Sequence, residues 1–97
     1  MNVSYEPAAR AEVADALNWY LTVAGQTIAD SFERELDKAV RLLMQFPQLG
    51  TPGLRESRKL RLSGFPYILH YRANGDMLRI LAVAHQGRKP GYWRGRV

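Results

Sequence analysis

The 97-residue sequence contains no cysteine, which excludes a disulfide framework and any thiolate metal site. It has only two histidines, His70 and His85. No acidic residue accompanies them at ligand spacing, so no metal site is expected and no cofactor is implied. No stretch approaches the roughly 18 consecutive apolar residues of a membrane span. The opening MNVSYEPAAR lacks a basic segment followed by an apolar run, so no secretory signal is expected there. Gly-rich phosphate loops are missing too: GDMLR and HQGRKPG lack the required spacing. No serine stands in an elbow motif. A single domain over residues 1–97 is expected, with no membrane partner, and the lack of cysteine is compatible with the expected cytoplasmic location.

Acidic residues are scarce in one half only. Residues 1–48 carry four basic and seven acidic side chains, and residues 49–97 carry ten basic and two acidic ones. The net charge of +5 is therefore segregated. A basic half on a globular domain, 46% apolar overall, points to an acidic partner.

Periodicity orders the chain. Asn2 to Tyr5 reads as a short edge strand. Pro7 suits the first turn of a helix. Ala9, Val13, Leu17, Tyr20, Leu21 and Ala24 then recur at helical spacing, and Gly25 ends the segment. Thr27 and Asp30 resemble a capping box. Ile28, Phe32, Leu36, Val40 and Leu43 form a second apolar stripe, closed by Phe46-Pro47. So short a connection predicts an antiparallel helical hairpin. PQLGTPG, residues 47–53, reads as loop. From Arg55 the period becomes two, giving three strands. The expected fold is α+β, in the order β-α-α-β-β-β, with the hairpin packed on a C-terminal antiparallel sheet.

Asn74-Gly75 signals a two-residue hairpin turn. With that turn, Tyr71 pairs Leu78, Leu69 pairs Ile80 and Tyr67 pairs Ala82, all facing the helices. A four-residue loop at 63–66 would pair Leu62 with Tyr67. The opposite face then carries Lys59, Arg61, Ile68, His70, Arg72, Met77, Arg79, Leu81, Val83 and His85. That face is too apolar to be an ordinary wet surface and too basic to be a core. Either a partner covers it, or the tail folds back over it with Tyr92 and Trp93; the two readings are compatible.

Ribonuclease chemistry needs a base, an acid and cations for phosphate. Arg61, His70, Arg79, His85 and Tyr92 are the residues that could supply it. The order of elements, however, resembles the ParE/RelE superfamily of type II toxin–antitoxin toxins across nearly the whole chain. Residues 59–67 (KLRLSGFPY) look like the family's approach to the central hairpin, and Leu69-His70-Tyr71-Arg72 like its continuation. Ile80 to His85, followed by Arg88, Pro90, Tyr92 and Trp93, resembles the ParE-like ending. The resemblance implies a cognate ParD-like antitoxin that wraps and silences the toxin in a hetero-oligomer. It implies inhibition of DNA gyrase without catalysis for ParE-like members, and ribosome-dependent messenger RNA cleavage for RelE-like ones. Residues Arg88, Lys89, Tyr92, Trp93, Arg94 and Arg96 are then expected to bind the target. Lys59, Arg61, Ile68, His70, Arg72, Met77, Arg79, Leu81 and Val83 are expected to bind an acidic amphipathic antitoxin segment. An inactive toxin-fold protein that only binds its antitoxin is the third possibility.

Overall fold

The computed structural model describes residues 1–96. Strand β1 (Asn2–Tyr5) leads into helix α1 (Pro7–Val23) and helix α2 (Gln26–Gln45). Strands β2 (Thr51–Pro52), β3 (Arg58–Arg61), β4 (Tyr67–Asn74) and β5 (Met77–His85) follow. One sheet results, in the order β1-β5-β4-β3-β2. β1 is an edge strand as expected, and it runs parallel to β5. The second edge, β2, falls in the expected loop and pairs antiparallel with β3.

Pro7 opens α1, and Gly25, at φ 93°, precedes α2. Only glycine enters that conformation without steric cost. The expected Thr27 cap does not form; instead the Gln26 side-chain amide donates to Asp30 Oδ1 at 2.7 Å. Phe32, Leu36, Val40 and Leu43 of α2 pack into the core with Ala9, Ala16 and Tyr20 of α1. Leu21, Ala24 and Ile28, expected on the apolar faces, lie exposed instead. The hairpin covers one side of the sheet, against Leu62, Leu69, Tyr71, Leu78, Ile80 and Val83. Tyr71 is fully buried, and its hydroxyl ties the post-hairpin loop to the sheet. It donates to the Pro47 carbonyl at 2.7 Å and accepts the Gly50 N–H at 2.9 Å.

Two registers decide where the charged residues face. The β3–β4 register agrees with expectation: Leu62 N–H donates to the Tyr67 carbonyl, leaving residues 63–66 as the loop. The β4–β5 register does not. Asn74 pairs Met77, so the turn residues are Gly75 and Asp76, and Tyr71 pairs Ile80. A register shift follows at once, with His70 opposite Ala82. Leu81 is thus an extra residue in β5, a β-bulge. Beyond it the faces of β5 exchange, because side chains alternate with period two. Val83 and His85 turn to the helix side, and Ala82 turns away from it, contrary to the alternation read from sequence.

Candidate functional site

The bulge creates a place for the tail. β1 ends opposite Ile80, so from Leu81 onwards this flank of β5 has no neighbouring strand. Backbone groups left there need partners. Glu12 of α1 accepts the Val83 N–H at 3.0 Å, and the Arg96 guanidinium donates to the Leu81 carbonyl at 3.0 Å. Arg96 also grips both carboxylate oxygens of Glu12, at 2.9 and 3.1 Å. The Tyr92 hydroxyl donates to Glu12 Oε2 at 2.5 Å. Burial pushes the Glu12 carboxyl up, but the bonds from Arg96, Tyr92 and Val83 outweigh it and hold its pKa below the ordinary value. Burial, reinforced by the Glu12 carboxylate, pushes the Tyr92 phenol well up, so it stays protonated and donates. Two guanidiniums lie over the Tyr92 ring, Arg88 at 3.9 Å and Arg96 at 5.1 Å from its centroid.

Held in this way, the tail crosses the sheet face that the helices leave open. Trp93 is 2% exposed and packs with Leu81 and Ala82 in a second, small core. Its ring lies 4.9 Å from that of His70. Burial, with Lys59 nearby, lowers the His70 pKa to about 4, so the imidazole is neutral near pH 7. The tail therefore covers much of the face the sequence marked as basic and apolar.

Of the expected nuclease residues, His70, His85 and Tyr92 border the same small hollow between the tail and β3, and Arg61 and Arg79 do not line it. His70 lies beneath Trp93, whereas His85 pairs with Tyr67 on the opposite side of the sheet, ring centroids 5.3 Å apart. Arg79 is ion-paired with Glu6 at the β1 side. Tyr92 is bound to Glu12, and Arg61 donates to Gln86 Oε1 at 2.8 Å. Among the described residues no group of three or more His, Asp or Glu side chains could hold a metal.

The residues expected to meet a target divide into two kinds. Arg88, Lys89 and Arg94 are exposed, while Tyr92, Trp93 and Arg96 are occupied in holding the tail. The residues expected to meet an antitoxin divide as well. Lys59, Arg61, Met77 and Arg79 are exposed, and Ile68, His70 and Arg72 are partly covered, Arg72 donating to the Arg55 carbonyl. Leu81 and Val83 are buried and present no surface: Trp93 covers Leu81, and the bulge turns Val83 to the helices.

Two hollows flank the tail. The larger, about 590 Å³, runs between α1 and the end of β5. Its walls are mostly aromatic, from Trp19, Tyr20, Tyr67, His85 and Tyr92, and Glu12 and Asp15 of α1 also line it. Trp19 is 56% exposed there. The smaller, about 260 Å³, lies between the tail and β3, with Lys59, Arg88 and Lys89 on its walls. His85, Arg88 and Tyr92 border both hollows. Sequence reasoning missed the larger one and missed Glu12. A signal existed: Glu12 stands at helical spacing among Ala9, Ala16 and Trp19, and a carboxylate on such a face calls for a partner. No helix among the described residues is long and apolar enough to cross a membrane.

Comparison with known proteins agrees with this architecture. A family model described as the ParE toxin of the type II toxin–antitoxin system parDE matches residues 3–90. A solved chain of the chromosomal ParDE TA system from P. aeruginosa superposes with a TM-score of 0.76 at 20% sequence identity. The superposition covers 88% of this chain and 95% of that one. No curated protein matches the sequence significantly.

Proposed function

Because the chain belongs to the ParE toxin family of type II toxin–antitoxin systems, we propose that it inhibits DNA gyrase in the cytoplasm and is silenced by a cognate antitoxin. The match of residues 3–90 to the ParE toxin model carries the choice of a binding toxin over a ribonuclease. His70 and His85 both border the smaller hollow, but His70 is covered by Trp93 and the His85 ring is turned to Tyr67. Beside that hollow the tail forms a ridge from which Arg88, Lys89 and Arg94 project. A ridge tied down at Glu12 binds with little loss of conformational freedom, which favours affinity.

The antitoxin has a natural seat beside that ridge. An acidic amphipathic segment would lay its apolar side in the aromatic groove along α1. Its acidic side would reach Arg88, which borders groove and ridge alike. Lys59 and Arg61 extend the acidic contact on the neighbouring face. Trp19→Ala and Tyr67→Ala should weaken a complex with the antitoxin while leaving the free toxin folded.

The test of activity is a gyrase supercoiling and cleavage assay run beside primer extension on translated messages. Inhibited supercoiling or accumulated cleavage complex, without codon-linked cuts, is the expected result. Codon-linked cuts with gyrase unaffected would replace this reading with the ribonuclease one. No effect in either assay and no harm on expression would leave a protein that only binds its antitoxin.

A further inference from the structure

We infer that the face formed by β3 and the C-terminal tail is a binding surface for duplex DNA, engaged through the phosphate backbone and without base recognition. This goes beyond gyrase inhibition and does not depend on gyrase being the target.

Charge is the first observation. Lys59 and Arg61 project from β3, Arg88, Lys89 and Arg94 project from the tail, and all five are exposed. Lys59, Arg88 and Lys89 line one cleft, and no carboxylate lines it with them. Arg61 is held at the same end of the sheet by Gln86, which also lines the cleft. The Arg94 stem passes Gly91, another lining residue. Glu12, an acidic residue near the tail, is neutralised by Arg96. Such a one-sign concave surface concentrates the field that attracts a polyanion.

The second observation is what this surface lacks. Leu81, Ala82, Ala84 and Trp93 are each at most 4% exposed, so the apolar part of the sheet face is already covered. Ile68 alone is left partly open among the apolar sheet residues lining the cleft. Outside the sheet, Leu54 lines the same cleft and is 48% exposed, so an amphipathic protein segment would find only a small apolar area beside the charge. A phosphate backbone has no apolar side to satisfy.

The third observation separates duplex from single strand. Single-stranded nucleic acid is held by aromatic rings on which bases stack. Both aromatic rings of this tail are occupied, Trp93 by His70 and Tyr92 by two guanidiniums. What remains are Lys and Arg side chains, which neutralise phosphates and carry no sequence information. The molecule's longest dimension, 38 Å, is close to one turn of B-form duplex, about 34 Å. One protein therefore covers no more than about one turn.

The experiment uses the purified full chain and a labelled 20-base-pair duplex of arbitrary sequence, followed by fluorescence anisotropy as salt is raised. Binding should be tighter to duplex than to a single strand of the same length, and indifferent to sequence. Its affinity should fall steeply with salt, by about 0.9 logarithmic units per phosphate contact for each tenfold rise in salt. The Lys59→Ala/Lys89→Ala/Arg94→Ala variant should bind at least tenfold more weakly, with a flatter salt dependence. Arg34→Ala/Lys38→Ala on α2 should bind like the wild type, and thermal melts check that both variants fold. Absence of binding at low salt overturns the inference. So does equal binding by the two variants, tighter binding to the single strand, or equal binding to polyglutamate. A pull-down of gyrase without DNA separates the two readings. Loss of gyrase binding in the wild type with duplex binding intact removes only the gyrase reading.

Discussion

Glu12 and Arg96, 84 positions apart in the chain, meet in a two-pronged ion pair that fastens the tail to the first helix. The pair is mostly covered and also carries the Tyr92 hydroxyl and the Val83 amide. Its loss should therefore cost more than that of an exposed surface pair. Glu12→Gln should destabilise the protein by about 2 kcal/mol, lowering Tm by on the order of 10 °C. Hydrogen exchange should rise first in residues 88–96, and Arg96→Gln should reproduce the pattern. A variant whose tail exchanges as slowly as the wild type would show that Trp93 alone holds it.

Acid should weaken this protein in two stages. The folded His70 pKa, about 4, lies below the ordinary value of 6.5. As pH falls from about 6.5 to about 4, the unfolded chain takes up a proton that the folded chain refuses, so stability declines across that window. Glu12 behaves as a carboxylate with a depressed pKa. Its contribution is complete above the ordinary carboxyl value of 4.5 and is lost as pH falls further, through the folded value. Tm measured against pH should show both stages. His70→Gln should remove the upper one and leave the lower, and a wild-type Tm that stays flat between pH 6.5 and 4.5 would contradict the burial argument.

Gly50 has no room for a side chain. A Cβ there would lie 2.7 Å from the Lys59 carbonyl and 2.7 Å from the Tyr71 hydroxyl. Gly50→Ala should cost about 3 kcal/mol, since one of those contacts is rigid backbone. Tyr71→Phe keeps the ring and loses two hydrogen bonds, for about 1–2 kcal/mol. Chemical denaturation of the two variants should rank them in that order.

Leu81→Asp is a test of the core, not of an interface. Leu81 is fully buried beneath Trp93, so the aspartate would place an unpaired charge in the small second core. The free protein should lose several kcal/mol and release its tail. Trp93→Ala should cost about 3 kcal/mol at the same place. A Leu81→Asp protein as stable as the wild type would mean that the tail does not lie over this strand.

Neither histidine should be needed for toxicity. His70→Gln and His85→Gln, expressed without antitoxin, should arrest growth like the wild type if no nuclease site exists. Loss of toxicity in both, with Tm maintained, would favour the ribonuclease.

Much of this fold was legible because its patterns are local. The stripe Phe32, Leu36, Val40, Leu43 needed only the helical period, and the Leu62–Tyr67 pairing needed only a short loop between two strands. Three features were not legible. The first was the bulge: residues 80–84 are ILAVA, apolar at every position, so alternation could not report that the faces exchange at Leu81. The turn was displaced by one residue for a related reason, since Asn74-Gly75 and Gly75-Asp76 are both competent turn pairs. The third was the identity of Glu12's partner: helical spacing marks Glu12 as needing one, but no local pattern names Arg96, at the opposite end of the chain. From these gaps came the main differences at the site: Val83 and His85 lie on the helix side, and Arg96 fastens the tail, whereas Trp93 folds back over the sheet as the sequence allowed.

Leu81 is also a residue that the ladder itself does not need. Removing its codon would leave Ala82 opposite His70, Val83 opposite Leu69 and His85 opposite Tyr67, so every face beyond it would stay as it is and β5 would become a regular strand. The deletion would instead take away the carbonyl that Arg96 holds and the site where Trp93 rests. The extra residue thus serves the anchorage of the tail and not the pairing of the strands.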